Sequence, residues 1–214
     1  MNLLLCFFFI FTGVSDVKKK TQMKDSQIKT ISVDSKKILI LGDSLTEGYG
    51  VDKSQAFPAI LESILQEKSH NYNVLAAGTS GSTSASAVKR LKWHLRAKPD
   101  VLILALGGND GLRGIEPEAT KKNLEKAILL AKEKGLKVFL AGMKTPTNYG
   151  EEYRKKFETT FTYLSKKHEI HLIPFLLKGV ATVKDLNLAD GIHPNESGHK
   201  IIAKTIYKNL KDDL

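Results

Sequence analysis

Ser44 lies in the stretch GDSLTEGYG (residues 42–50), directly after the apolar run KILIL (residues 37–41). A serine hydroxyl is a weak nucleophile near neutral pH and needs a base within hydrogen-bond reach to take its proton. His193, in DGIHPN (residues 190–195), is a candidate for that base, because imidazole titrates close to neutral pH. Asp190 stands three residues before it, a spacing that lets a carboxylate hold one ring nitrogen while the other faces Ser44. Acyl transfer also needs donors where negative charge develops on the carbonyl oxygen. The candidates are the backbone N–H of Ser44, the backbone N–H of Gly81 and the side-chain amide of Asn109, with Gly78 an alternative to Gly81. Asp43 is better placed to hold the nucleophile loop than to act chemically.

Each of these residues follows, or sits close to, an element that could position it. Residues 37–41, 73–77, 101–106, 138–141 and 170–173 are short apolar runs of the kind buried on both faces of a parallel sheet. Between them the apolar residues recur with helical spacing over residues 55–67, 84–95, 117–134, 149–167 and 195–210. Pro117 suits a first helical turn, and Gly135 suits the end of that helix. Alternating strands and helices predict an α/β fold: a doubly wound, three-layer α/β/α arrangement around a five-stranded parallel sheet in flavodoxin-like order. Ligands on such sheets bind beyond the carboxyl ends of the strands. The Gly-rich segments at 42–50, 78–82 and 107–110 follow strands and DGIHPN precedes the last helix, so all four fall on one rim.

These blocks resemble those of the GDSL esterases, the SGNH-hydrolase superfamily. GDSLTEGYG carries the nucleophile position at Ser44, GGND the oxyanion position at Asn109, and DGIHPN the Asp190 and His193 positions. A fourth, shorter block rests on Gly81 within TSGSTS. The similarity runs over residues 37–210, and GGNDGLRGIEPEAT and TPTNYGEEYRKKF resemble the bacterial thioesterase/lysophospholipases and arylesterases in particular. The resemblance implies a single-domain, cofactor-free, exported serine esterase acting on small esters, thioesters or lysophospholipids. It also implies an acyl-pocket wall at Pro146, Asn148 and Tyr149. Two other readings remain: a carbohydrate acetylesterase of the same superfamily, and a non-catalytic, lipid-associated binding protein on the same fold.

Composition narrows the field. The chain has 214 residues with a single cysteine, Cys6, which leaves no internal disulfide and no Cys-based zinc site. His193 and His199 are six apart, which is not metal-ligand spacing on one helix face, so no metal is expected. The phosphate-cradling G-x-x-x-x-G-K-[ST] and the dinucleotide fingerprint are both missing. Twenty-nine Lys and four Arg against 23 acidic residues give a net charge of +10. Nucleic-acid readers lean on Arg, so this Lys-rich pattern reads as a solvated surface with attraction to an anionic membrane, and no nucleic-acid partner is expected. Residues 3–11 form an unbroken apolar run followed by Gly13-Val14-Ser15, the layout of an export signal over residues 1–15. An uncleaved anchor is the alternative, since no Lys or Arg precedes the run. Residues 16–36 read as a Lys-rich tether, and residues 37–214 as one hydrolase domain, periplasmic or secreted and monomeric.

Overall fold

The computed structural model describes residues 35–214, apart from the side chain of Thr147. The expected export signal and nearly all of the tether lie outside the described residues. The first strand, β1 (Lys36–Gly42), begins one residue earlier than its apolar run. The Lys36 N–H donates to Asn71 O at 3.1 Å, and Lys36 pairs in register with Tyr72.

Four further strands follow: β2 (Tyr72–Gly78), β3 (Val101–Ala105), β4 (Lys137–Ala141) and β5 (His171–Ile173). All neighbours are parallel and the order is β2-β1-β3-β4-β5, the flavodoxin-like order that right-handed crossovers favour. The central strands carry the core: Ile38 to Leu41 and Leu102 to Leu104 are fully buried. Each such side chain contributes about 1.5–3 kcal/mol through apolar burial. Edge strand β2 is only partly covered, which is why its run mixes buried and exposed positions.

Among the described residues, seven α-helices complete the layers. Helix α2 (Phe57–Glu67) packs against α7 (Glu196–Leu210), and α3 (Ala87–His94), α5 (Pro117–Glu133) and α6 (Glu151–His168) pack side by side. Local signals set their ends. Pro117 opens α5, where a missing N–H costs nothing. Asn195 caps α7, its Oδ1 accepting from Ser197 N at 3.0 Å and Gly198 N at 3.1 Å. Acidic Glu151 and Glu152 begin α6 and Lys166, Lys167 and His168 end it, each complementing the helix dipole.

Three helices start two or three residues later than their apolar periodicity suggests. Helix α2 begins at Phe57, after a 3-10 turn at Lys53–Gln55. Helix α6 begins at Glu151 because Gly150 has φ +81°, so Tyr149 belongs instead to a 3-10 turn, Thr147–Tyr149. Residues Ser84–Ser86 form a 3-10 turn before α3, because Asp110 accepts hydrogen bonds from both the backbone and the hydroxyl of Ser84. Helices α1 (Ser44–Glu47) and α4 (Gly108–Leu112) are too short to leave a periodic signature. Both start at the carboxyl end of a central strand, and both carry site residues.

Candidate active site

The loop that carries Ser44 is built by the junction of β1 and α1. Asp43 caps α1, its Oδ1 accepting from Leu45 N at 3.0 Å, so Ser44 occupies the first helical position with its backbone N–H outside the helical ladder. Helix α1 lies close over the strand ends because Gly78 carries no side chain: a Cβ there would sit 2.1 Å from Glu47 N. The Ser44 hydroxyl faces His193, with Oγ 2.9 Å from Nε2. On the far side of the ring, Nδ1 lies 2.6 Å from Asp190 Oδ2. Asp190 Oδ1 accepts in addition from Ile192 N at 2.9 Å and His193 N at 3.0 Å.

Those bonds fix the charge of Asp190. Acceptance from the His193 backbone and ring, and then from Ile192 N, lowers its pKa to about 2. The ionised carboxylate therefore accepts a hydrogen bond from Nδ1–H, leaving Nε2 to accept from Ser44. The segment holding His193 is itself fastened. Leu188 N donates to His193 O at 2.7 Å, Asn195 N donates to Leu186 O at 3.0 Å, and the Tyr49 ring lies 4.5 Å from the imidazole centroid.

The remaining loops converge beside Ser44. Asn109, in α4, donates through Nδ2 to Ser82 O at 3.0 Å, and the same nitrogen lies 3.5 Å from Asp43 Oδ2. Gly81 has φ +74°, a conformation that favours glycine, and its carbonyl accepts from Arg113 Nη2 at 3.0 Å. Gly78, by contrast, is paired with Gly42 inside the β1–β2 ladder.

Residues 40–201 match the model of the GDSL-like Lipase/Acylhydrolase family. This chain belongs to that family. It is 36% identical over 175 residues to Esterase TesA of Pseudomonas aeruginosa, covering 81% of this chain and 87% of that one. It is 35% identical over 175 residues to Thioesterase 1/protease 1/lysophospholipase L1 of Escherichia coli strain K12, covering 81% and 83%. Among solved structures, the psychrotrophic esterase EstA from Pseudoalteromonas sp., inhibited by monoethylphosphonate, superimposes with a TM-score of 0.79 at 30% identity, covering 83% of this chain and 98% of that one. The protein is a serine ester hydrolase of the GDSL family.

In this GDSL-family chain the rim opens into a cavity of about 640 Å³ that includes Ser44, Asn109 and His193 in its lining. Its walls are largely apolar, with Leu45, Leu112, Met143, Phe175, Leu177 and Ile192 prominent. Of the three expected pocket residues, Pro146 lines the cavity, whereas Asn148 and Tyr149 are not among its lining residues. Tyr149 instead donates its hydroxyl to Leu112 O at 2.7 Å, bracing a wall residue from behind. The segment between β5 and α7 supplies Phe175, Leu177, Ala181 and Thr182, none of which sequence reading singled out. Their signal was present as the apolar string PFLLKGVATV (residues 174–183), which fits no strand or helix assignment.

Asp110 was also missed. It is buried, accepts from Ser84 N at 2.8 Å, from the Ser84 hydroxyl and from Thr120 Oγ1 at 3.2 Å, and so ties the Gly81 loop to α4 and α5. Glu47 holds the same loop from the other side by accepting from Ser80 N at 2.8 Å and from the Ser80 hydroxyl. A buried or paired acidic residue within GGND or GDSLTE looks, in sequence, like an ordinary polar turn residue.

Two buried titratable groups near the site oppose each other with pH. Burial raises Asp43 to about 6, against bonds from backbone N–H groups that favour its charged form. Burial lowers His199 to about 4, with a smaller effect from His193; its Nδ1 accepts from Phe57 N at 3.2 Å where α7 meets α2. Between pH 6.5 and 4 an unfolded His199 holds a proton that the folded one lacks, so this group makes stability fall as pH falls. Asp43, protonated more readily in the folded chain, acts in the opposite sense between pH 6 and 4. The two largely offset each other in the wild type. Removing one exposes the other: relative to wild type, His199→Asn gains about 3 kcal/mol of stability as pH drops from 6.5 to 4. Urea midpoints of both proteins across that range measure the difference, and a pH-independent difference contradicts the assignment.

Proposed function

We propose that the protein hydrolyses carboxylic esters and thioesters with an acyl chain longer than acetyl, through an acyl-enzyme on Ser44. The observation that carries this reading is the continuous Ser44–His193–Asp190 relay opening directly into an apolar cavity. Ser44 Oγ attacks the carbonyl carbon while His193 Nε2 takes the hydroxyl proton. Asp190 holds the ring and compensates the imidazolium that forms. Collapse of the tetrahedral intermediate expels the alcohol or thiol, which receives that proton from Nε2. Water, activated by the same nitrogen, then attacks the acyl-enzyme and releases the acid and Ser44.

The oxyanion is held by the backbone N–H groups of Ser44 and Gly81 and by the Asn109 amide. Asn109 Nδ2 has two protons, one engaged by Ser82 O; the second faces Asp43 Oδ2 at 3.5 Å, too long for a strong bond, and is available to substrate. The Gly81 N–H is unbonded among the described residues, whereas Gly78 sits in the strand ladder; this supports Gly81 over Gly78.

The cavity argues for acyl length. An acetyl group would leave most of about 640 Å³ unfilled, whereas a longer chain removes apolar surface from water at roughly 0.8 kcal/mol per methylene. A series of p-nitrophenyl esters of rising chain length is therefore expected to show kcat/KM climbing about tenfold per added pair of methylenes before a plateau. Activity confined to the acetyl ester would overturn this reading and favour an acetylesterase. Residues 1–15 serve as an export signal, on the strength of the apolar run and the small residues after it. N-terminal sequencing of exported protein should start near Asp16; a start at Met1 sinks that part.

A further inference from the structure

The chain's charge excess is unevenly distributed over the two helical layers. Helices α3, α5 and α6 together carry 12 Lys and Arg against six Asp and Glu, whereas α2 and α7 carry three against three. The first layer thus has a surplus of six, equal to that of all of residues 38–214, which hold 26 basic and 20 acidic residues. Cations placed only for solubility would have no reason to favour one side of the sheet.

The same layer exposes three large apolar side chains, one on each helix: Trp93 on α3 (65% exposed), Leu129 on α5 (51%) and Tyr163 on α6 (48%). A single exposed apolar residue is ordinary. These three, however, lie on three neighbouring parallel helices of one layer, with Tyr163 level with Lys121 and so about two turns from Leu129 along the helix axis. Helix spacings of roughly 10 Å spread them over about 20 Å across the layer. Cations surround them. Lys89, Lys92 and Arg96 are exposed along the outer face of α3 and its continuing turn, and Arg96 stacks 4.6 Å from the Trp93 ring. Lys126 is exposed on α5, and Lys121 and Lys167 lie 5.0 and 5.6 Å from the Tyr163 ring. Three acidic groups lie among these cations and each is paired: Glu118 with Lys121, Glu125 with Lys167 and His168, and Glu133 with Lys134.

We propose that the outer face of α3, α5 and α6 docks this protein on an anionic phospholipid bilayer. Trp and Tyr favour the headgroup region, where an apolar ring and a polar edge are both satisfied, and Lys or Arg around them gain from the negative surface potential. The occupant is a lipid surface and not a polyanion, because a polyanion gives no home to Trp93, Leu129 and Tyr163. The inference is independent of the catalytic reading, since none of these residues belongs to the site. Helices of this layer run back along the sheet from the rim, so docking leaves the pocket mouth beside the bilayer and open to solution.

Trp93 is the only tryptophan in the chain, so its fluorescence reports on this surface alone. Full-length protein is mixed with vesicles of phosphatidylcholine with or without phosphatidylglycerol. The expected result is a blue shift of Trp93 emission only with phosphatidylglycerol, reversed by high salt, with p-nitrophenyl ester hydrolysis retained in the bound fraction. Lys92→Glu/Arg96→Glu/Lys126→Glu should weaken co-sedimentation roughly tenfold or more, and Lys200→Glu/Lys204→Glu on the opposite layer should change it less than about twofold. Binding without a Trp93 shift, as attraction through residues 16–36 alone would give, overturns the proposal. So does equal sensitivity of the two layers, binding to heparin with the same shift, or loss of hydrolysis on docking.

Discussion

Ser44→Ala is expected to lower kcat for any ester substrate by roughly 10⁵- to 10⁶-fold, with KM nearly unchanged. The hydroxyl oxygen is the atom that would bond to the acyl carbon, and nothing within reach can replace it. Its only hydrogen-bond partner among the described residues is His193 Nε2, so removing it should leave Asp43, the α1 cap and the sheet in place. Substrate would still fill the cavity, because the walls are untouched. The residual rate should stand about 10³- to 10⁴-fold above uncatalysed hydrolysis, supplied by the oxyanion donors and by binding. Active-site titration with a phosphonate ester provides a second readout: wild type should become covalently modified and the variant should not. A variant retaining more than a tenth of wild-type kcat would mean that Ser44 is not the nucleophile.

Asp190→Asn should cost about 10⁴-fold in kcat while leaving the fold intact. Asparagine keeps an oxygen able to accept from Ile192 N and His193 N, so the loop that presents the imidazole is preserved. The other half of the side chain reverses polarity. An amide NH₂ facing Nδ1 favours the tautomer whose proton is on Nε2, and the Ser44 hydroxyl then loses its acceptor. The imidazolium formed during attack also loses its counter-charge. Because Asp190 titrates near pH 2 in the wild type, it remains ionised throughout the ordinary working range, so the acid limb of the wild-type pH–rate profile does not arise from it. Circular dichroism and thermal midpoints matching wild type, beside a small loss of rate, would assign Asp190 a merely structural place.

The large effects of both substitutions trace to features that are local in the chain. Ser44 follows its strand immediately, and Asp190 and His193 share one six-residue turn, so their types and spacing could be read directly. The five apolar runs were equally plain, because strands covered on both faces select apolar side chains at every position. Their order followed from crossover handedness, and the sheet has that order. Boundaries were less legible at α3 and α6, where a long-range bond to Asp110 and a left-handed Gly150 overrode the helical period.

Amino-acid sequence alone determined the fold class and pointed to the three candidate relay residues and the candidate oxyanion donors, since each depends on residue type within a few positions of a strand or helix end. Only the tertiary structure decided that Ser44 and His193, 149 residues apart, stand 2.9 Å from each other. It also decided that Phe175 and Leu177 line the cavity while Tyr149 does not, and that Asp110 anchors the Gly81 loop. The same holds for the one-sided charge and for the exposure of Trp93, Leu129 and Tyr163 on one layer. The reason in each case is physical: loop walls, buried carboxylate partners and surface patches are sums over segments far apart in sequence, brought together only when the sheet closes its core.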